Sequence, residues 1–296
     1  MNGTRMTTTD TSSKIASGTQ SLSDDDLHSL SRFIHGECGI KMPLSKRVML
    51  ESRLQKRLRA LGIKTFKDYC VYLFSEEGKS GELTHCIDAI TTNKTDFFRE
   101  ANHFDYLTSQ ALPALIESPE SRCKKQFTVW SAGCSTGEEP YTLAMVLNEF
   151  AEIMPGFDFK VLATDISTQV LDKAKLGVYA QESVSPVPEE LKMKYLLRSK
   201  DRRKGLVRIV PRLREKVVFQ RLNFMESHFN IREKVDVIFC RNVIIYFDRS
   251  TQETLMNKFC RYLMPRGYLF LGHSETLHSM DVPLVSVAPT IYRMPK

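Results

Sequence analysis

The chain has 296 residues, of which 42% are hydrophobic and 26% are charged, the balance of a globular protein with enough length for two domains. The sequence contains no run of about 18 apolar residues, the length needed to span a bilayer. Residues 1–22 lack the apolar centre of a secretory signal. We therefore expect a cytoplasmic protein with a disordered tail over 1–22. The net charge of +7 is modest, and seven cysteines without a Cys-x-x-Cys pair favour buried, reduced thiols and no metal site.

Residues 23–105 show helical periodicity throughout and are predicted to form a small all-α domain. Ser23 and the three acids after it form a helix-start signal, and Gly62 marks the end of a second helix. Between Lys46 and Lys67 stand eight basic residues against a single acid, so most of the surplus charge lies in this second helix and its flanks. Such a face is either simply solvated or steers a partner of opposite charge, and the residues alone leave both readings open.

Beyond a helical linker over 106–125, the pattern changes to short apolar strands that alternate with helices. The segments FTVWSA, FKVLATD, VDVIFC and GYLFLG are strand-like, which predicts a parallel sheet covered by helices on both faces. Residues 126–296 are therefore predicted to form one α/β domain with a doubly wound sheet whose last strand is antiparallel. The less regular residues 184–222 are predicted to form a small β insertion, which includes the strand-like KVVFQRL near its end.

The first strand runs into the small-residue turn SAGCSTG and then into a helix that starts with Glu138 and Glu139. A P-loop is excluded at this turn, because Gly137 is followed by Glu138 and Glu139 and not by Lys and Ser/Thr. The two carboxylates would also repel a pyrophosphate. The second strand ends in Asp165, where carboxylates of this architecture bind ribose hydroxyls. S-Adenosylmethionine fits this combination, with its ribose at Asp165 and its ammonium at a carboxylate such as Glu138. Taken singly, the glutamates could merely complement the helix dipole and Asp165 could merely cap a helix.

Three longer segments carry a resemblance to a known family: ITTNKTDFFRE at residues 90–100, SAGCSTGEEPY at 131–141 and IFCRNVIIYFDRSTQ at 238–252. Together they resemble the signature segments of the chemotaxis receptor methyltransferases, the CheR family, and the likeness covers nearly the whole chain from Ser23. The resemblance implies a class I S-adenosylmethionine-dependent methyltransferase fold, which is Rossmann-like. It also implies an enzyme that forms methyl esters on chemoreceptor glutamates and releases S-adenosylhomocysteine.

The resemblance further implies roles for individual residues. Arg99 and Tyr246 would orient the acceptor carboxylate, and Arg99 would also border the cofactor. A salt bridge with Glu100 or Asp96 is the alternative for Arg99, and a role as a core ring is the alternative for Tyr246. The other cofactor-binding residues that the family implies are Asn93, Thr95, Ala132, Gly133, Glu138, Asp165, Asn223, Phe224, Arg241 and Asn242.

The resemblance also favours a docking role for the basic helix, because the methylated region of a receptor is a helical bundle that bears glutamates. We expect a monomer that binds this cytoplasmic helical region through its basic residues, without inserting into a membrane or binding nucleic acid. A nucleic-acid methyltransferase is an alternative that the missing Asn/Asp-Pro-Pro-Tyr/Phe motif disfavours, and a cofactor-binding module without turnover is another. The residues expected to contact the receptor are Arg53, Lys56, Arg57 and Arg59.

Overall fold

The structure, a computed structural model, describes residues 21–118 and 126–296. The expected tail lies outside the described residues except at its end, where Leu22 is fully buried and its N–H donates to Oε1 of Glu51 at 2.8 Å. Leu22 therefore belongs to the folded domain rather than to the tail. Part of the expected linker, residues 119–125 with Cys123, also lies outside the described residues.

The described part of the N-terminal domain contains four α-helices around one apolar core. The first helix begins after Ser23, whose Oγ accepts a hydrogen bond from the N–H of Asp26 at 3.1 Å, as the start signal predicted. The second helix ends at Gly62, which has a φ of 69°. The helices are α1 (Asp24–Cys38), α2 (Arg47–Leu61), α3 (Phe66–Phe74) and α4 (Glu76–Ile90), with a 3₁₀ turn at Leu44–Lys46.

A broken helix leads to the second domain, which alternates strands and helices as predicted. The broken helix consists of α5 (Asn102–Tyr106), a π-helical turn (Leu107–Ala111) and α6 (Leu112–Ile116). The elements that follow are β1 (Phe127–Ala132), α7 (Glu138–Ile153), β2 (Phe159–Asp165), α8 (Thr168–Leu176), β3 (Val178–Ala180), α9 (Glu189–Tyr195), β4 (Leu196–Arg198), β5 (Leu206–Ile209), α10 (Pro211–Arg214), β6 (Val217–Arg221), β7 (Val235–Cys240), α11 (Arg249–Tyr262), β8 (Leu263–Leu271), β9 (Val285–Ala288) and β10 (Ile291–Arg293).

The main sheet has the strand order β6-β2-β1-β7-β8-β10-β9. The strands from β6 to β8 pair in parallel, and β10 pairs antiparallel with β8 and β9. One apolar cluster includes Val129 and Phe239, and a second includes their neighbours Trp130 and Ile238, so the two faces of the sheet are both covered. The chain leaves β1 toward β2 and returns to β7 on the other side. This confirms the doubly wound α/β fold and places its switch point between β1 and β7.

The small insertion forms a separate antiparallel sheet with the order β3-β5-β4. The prediction for this region is wrong at both ends, because β3 precedes residue 184 and β6 pairs in parallel with β2 in the main sheet. β6 is an edge strand, and its Val218 is 55% exposed. An edge strand alternates apolar and polar residues just as a strand of a small sheet does, so the sequence does not distinguish the two.

The prediction of buried, reduced thiols is confirmed for the cysteines that the structure describes. The six in the described part of the chain are buried and form no disulfide. Burial raises the pKa of the Cys134 and Cys240 thiols well above the ordinary value, so neither is activated as a nucleophile. Within the described residues, no helix combines the length and the apolar character needed to cross a bilayer.

Candidate active site

A cleft of about 1040 Å³, counted with its open mouth, lies at the carboxyl ends of β1, β2 and β7. In doubly wound sheets, ligand sites lie at this switch point. Two of the predicted cofactor residues, Ala132 and Glu138, do not line the cleft. The predicted residues that do line it are Asn93, Thr95, Arg99, Gly133, Asp165, Asn223, Phe224, Arg241, Asn242 and Tyr246.

The turn after β1 brings the main chain close to the cleft. Gly133 has a φ of 86°, and an added Cβ would lie 2.5 Å from Cγ2 of Val243, so this position requires glycine. The N–H of Gly133 donates to the carbonyl of Thr164 at 2.8 Å, which ties the turn to the end of β2. Ala132 is 1% exposed and belongs to the apolar cluster that includes Trp130. Its side chain thus fills the core, and its contact with the cofactor stays a prediction.

Asp165 ends β2 and supplies a buried carboxylate to the cleft. Its Oδ2 accepts the N–H of Ser135 at 2.8 Å, and its Oδ1 accepts the N–H of Ser167 at 3.0 Å. Burial outweighs these hydrogen bonds and raises the pKa of Asp165 above its ordinary value. The N–H of Ile166 is a third main-chain donor to this carboxylate. A carboxylate has about four lone-pair sites, so Asp165 keeps acceptor capacity toward the cleft. Its position and remaining capacity fit the paired hydroxyls of a ribose.

The two glutamates at the start of α7 have different surroundings. Glu139 lines the cleft, and its two oxygens accept hydrogen bonds from Ser131 Oγ and Arg241 Nε, each at 2.7 Å. Glu138 lies outside the cleft lining, where its Oε2 accepts the hydroxyl of Thr136 at 2.6 Å. Glu139, and not the predicted Glu138, is therefore the glutamate of this pair that lines the cleft. The binding of an ammonium by Glu138 stays a prediction. Neighbouring helical residues point about 100° apart, and the sequence does not give the rotation of the helix.

Arg241 is the buried cation at the centre of this wall, with a side chain that is 2% exposed. Its Nε donates to Glu139 as described, and its Nη1 donates to the carbonyl of Arg99 at 2.6 Å. The guanidinium carbon lies 5.1 Å from the ring centroid of Phe104. A buried charge is tolerated only when it is paired and hydrogen-bonded. Arg241 therefore couples the end of β7 to α7 and to the segment that carries Arg99.

A buried histidine lies beside Arg241. Nδ1 of His103 is 3.3 Å from Nη1 of Arg241, and its Nε2 is 2.9 Å from Oγ1 of Thr290. Burial, followed by the charge of Arg241, lowers the pKa of His103 to about 4, so the ring is neutral at pH 7. Potential metal-ligand atoms of Glu100, His103 and His273 lie within 4.8 Å of one another. The guanidinium of Arg241 already supplies a positive charge beside His103 and Glu100.

Glu275 organises the loop after β7, a role that the sequence did not predict. Its carboxylate accepts the N–H groups of Asn242 and Ile244, each at 2.9 Å, and of Gly272 at 2.6 Å. These hydrogen bonds hold the main chain at Asn242, which has a φ of 59°. Asn242 lines the cleft. The signal in the sequence was an acid just after the end of β8. An acid at this position does not by itself indicate that its carboxylate binds the loop after β7, where Asn242 lies 33 residues upstream.

Arg99 lines the cleft as predicted, and its Nη1 donates to the carbonyl of Lys94 at 3.3 Å. The alternative of a salt bridge is contradicted, because no ion pair joins Arg99 to Asp96 or Glu100 in the described residues. Glu100 instead lies 3.4 Å from Nη1 of Arg241. The guanidinium of Arg99 therefore retains donors for a ligand in the cleft.

Tyr246 also lines the cleft and is partly exposed, so it is not a core ring. Nζ of Lys46 lies 5.5 Å from its ring centroid, and its carbonyl accepts the N–H of Lys41 at 2.8 Å. Both lysines belong to the N-terminal domain. Tyr246 is thus positioned between the two domains, with its main chain fixed by the connection between α1 and α2.

The N-terminal domain supplies a second wall of the cleft, which sequence reasoning missed. Residues of the segment that follows the end of α1 contact the cleft next to Asn223, whose Nδ2 donates to the carbonyl of Glu37 at 2.6 Å. Main-chain contacts of this kind leave no signature in a sequence. The lining residues of this wall that were not predicted include Cys38, Ile40, Met42, Lys46 and Met49.

The basic residues predicted to bind a receptor fall into two groups. Arg57 forms a two-bond ion pair with the buried Glu82, with N···O distances of 2.8 and 2.6 Å. Arg53 donates to the carbonyls at the end of α4 at 2.7 Å. Lys56 and Arg59 are exposed. Nε of Arg59 donates to the carbonyl of Gln55 at 3.4 Å within the same helix. Lys56 and Arg59 are therefore the two of the four that a partner could reach without breaking a contact to another helix.

The fold and the cleft together define the class of the protein. Its sheet is doubly wound with antiparallel last strands, its cleft lies at the switch point, and its first turn leads to a carboxylate rather than to a phosphate-binding lysine. This is the α/β domain of a class I methyltransferase.

Comparisons with known proteins give the family. The family model described as CheR methyltransferase, SAM binding domain, matches residues 93–292, and that described as CheR methyltransferase, all-alpha domain, matches residues 25–91. The chain belongs to the CheR methyltransferase family and uses S-adenosylmethionine as its cofactor.

Its relatives are similar over almost their whole length. The chemotaxis protein methyltransferase of Borreliella burgdorferi is 40% identical over 273 residues, covering 92% of this chain and 95% of that protein. That of Escherichia coli is 38% identical over 275 residues, covering 93% and 92%. Chemotaxis protein methyltransferase 2 of Pseudomonas aeruginosa is 38% identical over 270 residues, covering 90% and 92%.

Proposed function

We propose that the protein transfers the methyl group of S-adenosylmethionine to glutamate side chains of chemoreceptors in chemotaxis, forming methyl esters and S-adenosylhomocysteine. The observation that carries the proposal is that Arg99 and Tyr246 line the same cleft as Asp165 and Glu139. The cleft thus combines carboxylates suited to the cofactor with a cation and a phenol suited to an anionic acceptor. The names of the relatives, chemotaxis protein methyltransferases, support the same reaction.

The cofactor would be held by residues at the ends of the strands. Asp165 binds the ribose hydroxyls, and Asn223 and Phe224 border the adenine. Glu139, rather than Glu138, binds the ammonium, because it is the glutamate that lines the cleft. Arg241 holds Glu139 in place through the 2.7 Å contact with its Nε, and it balances part of the negative charge of the site.

S-Adenosylmethionine supplies a methyl group on a positively charged sulfur, so the acceptor needs only to be an aligned carboxylate. A glutamate with a pKa of about 4.3 is ionised at pH 7, so no general base is required. His103 fits this expectation, since its lowered pKa of about 4 keeps it neutral. Catalysis then depends on orientation and on exclusion of water. Arg99 binds one oxygen of the acceptor, and the Tyr246 hydroxyl donates a hydrogen bond that aims the other.

Replacing Arg99 separates acceptor binding from cofactor binding. Arg99→Ala removes the cation that holds the acceptor, so we expect kcat to fall about 10- to 100-fold, since a hydrogen bond to a charged group contributes about 1.5–3 kcal/mol. The affinity for S-adenosylhomocysteine should change less than about threefold. Single-turnover methyl transfer and titration calorimetry measure the two quantities. Arg261→Ala, at an exposed arginine of α11, is the control. Equal losses of turnover and affinity would contradict the assigned role.

We also propose that the exposed cations of α2 steer the enzyme onto an acidic, helical receptor surface. Lys56 and Arg59 carry this role, because Arg57 is engaged with Glu82. Reversing both charges, Lys56→Glu with Arg59→Glu, should raise the KM for receptor-containing membranes about tenfold at low salt, with the effect fading at high salt. Lys173→Glu with Lys175→Glu, on the exposed face of α8, is the matched control. An unchanged KM at low salt would reject this docking surface.

A further inference from the structure

The residue after Arg99 makes contacts that the proposed reaction does not use. Glu100 has a side chain that is 11% exposed. Its Oε1 accepts the N–H of His273 at 3.1 Å and Nδ2 of Asn242 at 3.5 Å, and its Oε2 accepts Nη1 of Arg241 at 3.4 Å. These donors come from the loops that follow β7 and β8. One carboxylate therefore connects the segment that carries Arg99 to both loops.

Arg99 lies between two residues with left-handed main-chain conformations. The φ angle is 52° at Phe98 and 56° at Glu100, a region that is strained for residues with a side chain. Such a conformation persists only where surrounding contacts impose it. The N–H of Phe98 donates to Oγ1 of Thr142 at 3.2 Å, and the carbonyl of Arg99 accepts Nη1 of Arg241 at 2.6 Å. The Glu100 carboxylate fixes the far side of the same turn.

We propose that Glu100 is a positioning residue for Arg99. Its carboxylate holds the strained turn against Arg241, Asn242 and His273, and so keeps the Arg99 guanidinium directed into the cleft. This inference rests on the proposed function, in which Arg99 binds the acceptor carboxylate. The chemistry at this point calls for a carboxylate, because both oxygens accept hydrogen bonds and one of the donors is cationic. A glutamine would place an NH₂ donor against these donors.

A double-mutant cycle tests whether Glu100 acts through Arg99. Glu100→Gln should lower kcat/KM for the receptor about tenfold, within the range of coupling between residues in contact. The same substitution in an Arg99→Ala background should change it less than about twofold, since the residue being positioned is gone. The affinity for S-adenosylhomocysteine should stay within about threefold. Glu117→Gln, at an exposed glutamate after α6, is the matched control.

A second readout does not depend on activity. Hydrogen–deuterium exchange of the peptide that spans residues 95–102, without cofactor, should be faster in Glu100→Gln than in the parent chain and in Glu117→Gln. Glu100→Asp keeps the negative charge but moves the carboxylate away from its hydrogen-bond donors, so its exchange over residues 95–102 should also be faster. This variant replaces Glu100→Gln in the test if the glutamine variant does not fold. Equal losses of kcat/KM in both backgrounds, or unchanged exchange, would overturn the positioning role. If Arg99→Ala alone leaves methyl transfer intact, it is the role of Arg99 in the proposed function that fails.

Discussion

The two walls of the cleft have different origins. The wall of the α/β domain consists of residues at the ends of parallel strands, such as Gly133, Asp165 and Arg241, and the opposite wall comes from the N-terminal domain, with Ile40 and Met42. The first wall follows a general rule of doubly wound sheets, in which ligands lie at the carboxyl ends of the strands. The second depends on main-chain contacts between domains. Polar recognition of the cofactor should therefore reside in the first wall, and the second should mainly complete its shape.

The largest effect in this comparison is expected at Asp165. Asp165→Ala removes a charged acceptor of the ribose hydroxyls, and hydrogen bonds to charged groups contribute about 1.5–3 kcal/mol. The affinity for S-adenosylhomocysteine should fall about 30- to 100-fold. 5′-Methylthioadenosine, which has the ribose but lacks the amino-acid end, should lose the same factor in titration calorimetry. Asp172→Ala, at an exposed acid of α8, is the control. A loss confined to S-adenosylhomocysteine would place the ribose elsewhere.

A smaller effect should distinguish the two glutamates of α7. Glu139→Gln weakens the attraction for an ammonium, and we expect the affinity for S-adenosylhomocysteine to fall about tenfold, or about 1.4 kcal/mol. Affinity for 5′-methylthioadenosine should not change, because that ligand has no ammonium. Glu138→Gln is the matched control and should change either affinity less than about twofold. Thermal unfolding without ligand checks that Glu139→Gln, which takes a carboxylate partner from Arg241, keeps the stability of the parent chain. Equal effects of the two variants would remove the distinction between these residues.

The smallest effect is expected on the N-terminal wall. Gly39→Ala and Gly62→Ala both replace a helix-ending glycine with positive φ, which costs roughly 1 kcal/mol of stability in each case. An added Cβ at Gly39 would meet Sδ of Met225 at 2.8 Å and Cδ1 of Phe247 at 3.3 Å, whereas nothing lies within 4 Å at Gly62. Phe247 lines the cleft.

Calorimetry on these two glycine variants should therefore give unequal results. We expect Gly39→Ala to weaken S-adenosylhomocysteine binding about threefold, and Gly62→Ala to leave it unchanged. An effect of Gly39→Ala as large as that of Asp165→Ala would mean that the N-terminal wall contributes as much to recognition as the strand ends do. That result would contradict the assignment of cofactor recognition mainly to the wall of the α/β domain.

The parts that the sequence predicted are those with a local or periodic signal. Helix starts such as Ser23, the turn at Gly133 and the strand-terminal Asp165 all depend on neighbouring residues, and their structural positions are confirmed. The resemblance to a family added the association of Arg99 and Tyr246 with the cleft. Their tasks in the reaction stay predictions.

The parts that the sequence missed depend on orientation or on distant contacts. Which of Glu138 and Glu139 faces the cleft depends on the rotation of α7, and one residue of difference changes the answer. The sheet to which β6 belongs depends on pairing with β2, which is distant in the sequence. Glu275 binds backbone groups of a loop that follows another strand. None of these contacts changes the local pattern of residues from which the predictions were made.

The function proposed for this cleft is the transfer of a methyl group to a glutamate carboxylate. Incubation of the protein with methyl-labelled S-adenosylmethionine and chemoreceptor-containing membranes tests it most directly, followed by treatment with mild base. Label should enter the receptor and be released by base as methanol, because a carboxylate methyl ester is hydrolysed under these conditions. Arg99→Ala should abolish most of this labelling while S-adenosylhomocysteine still binds. Label that resists base, or label found in nucleic acid rather than in the receptor, would contradict the claim.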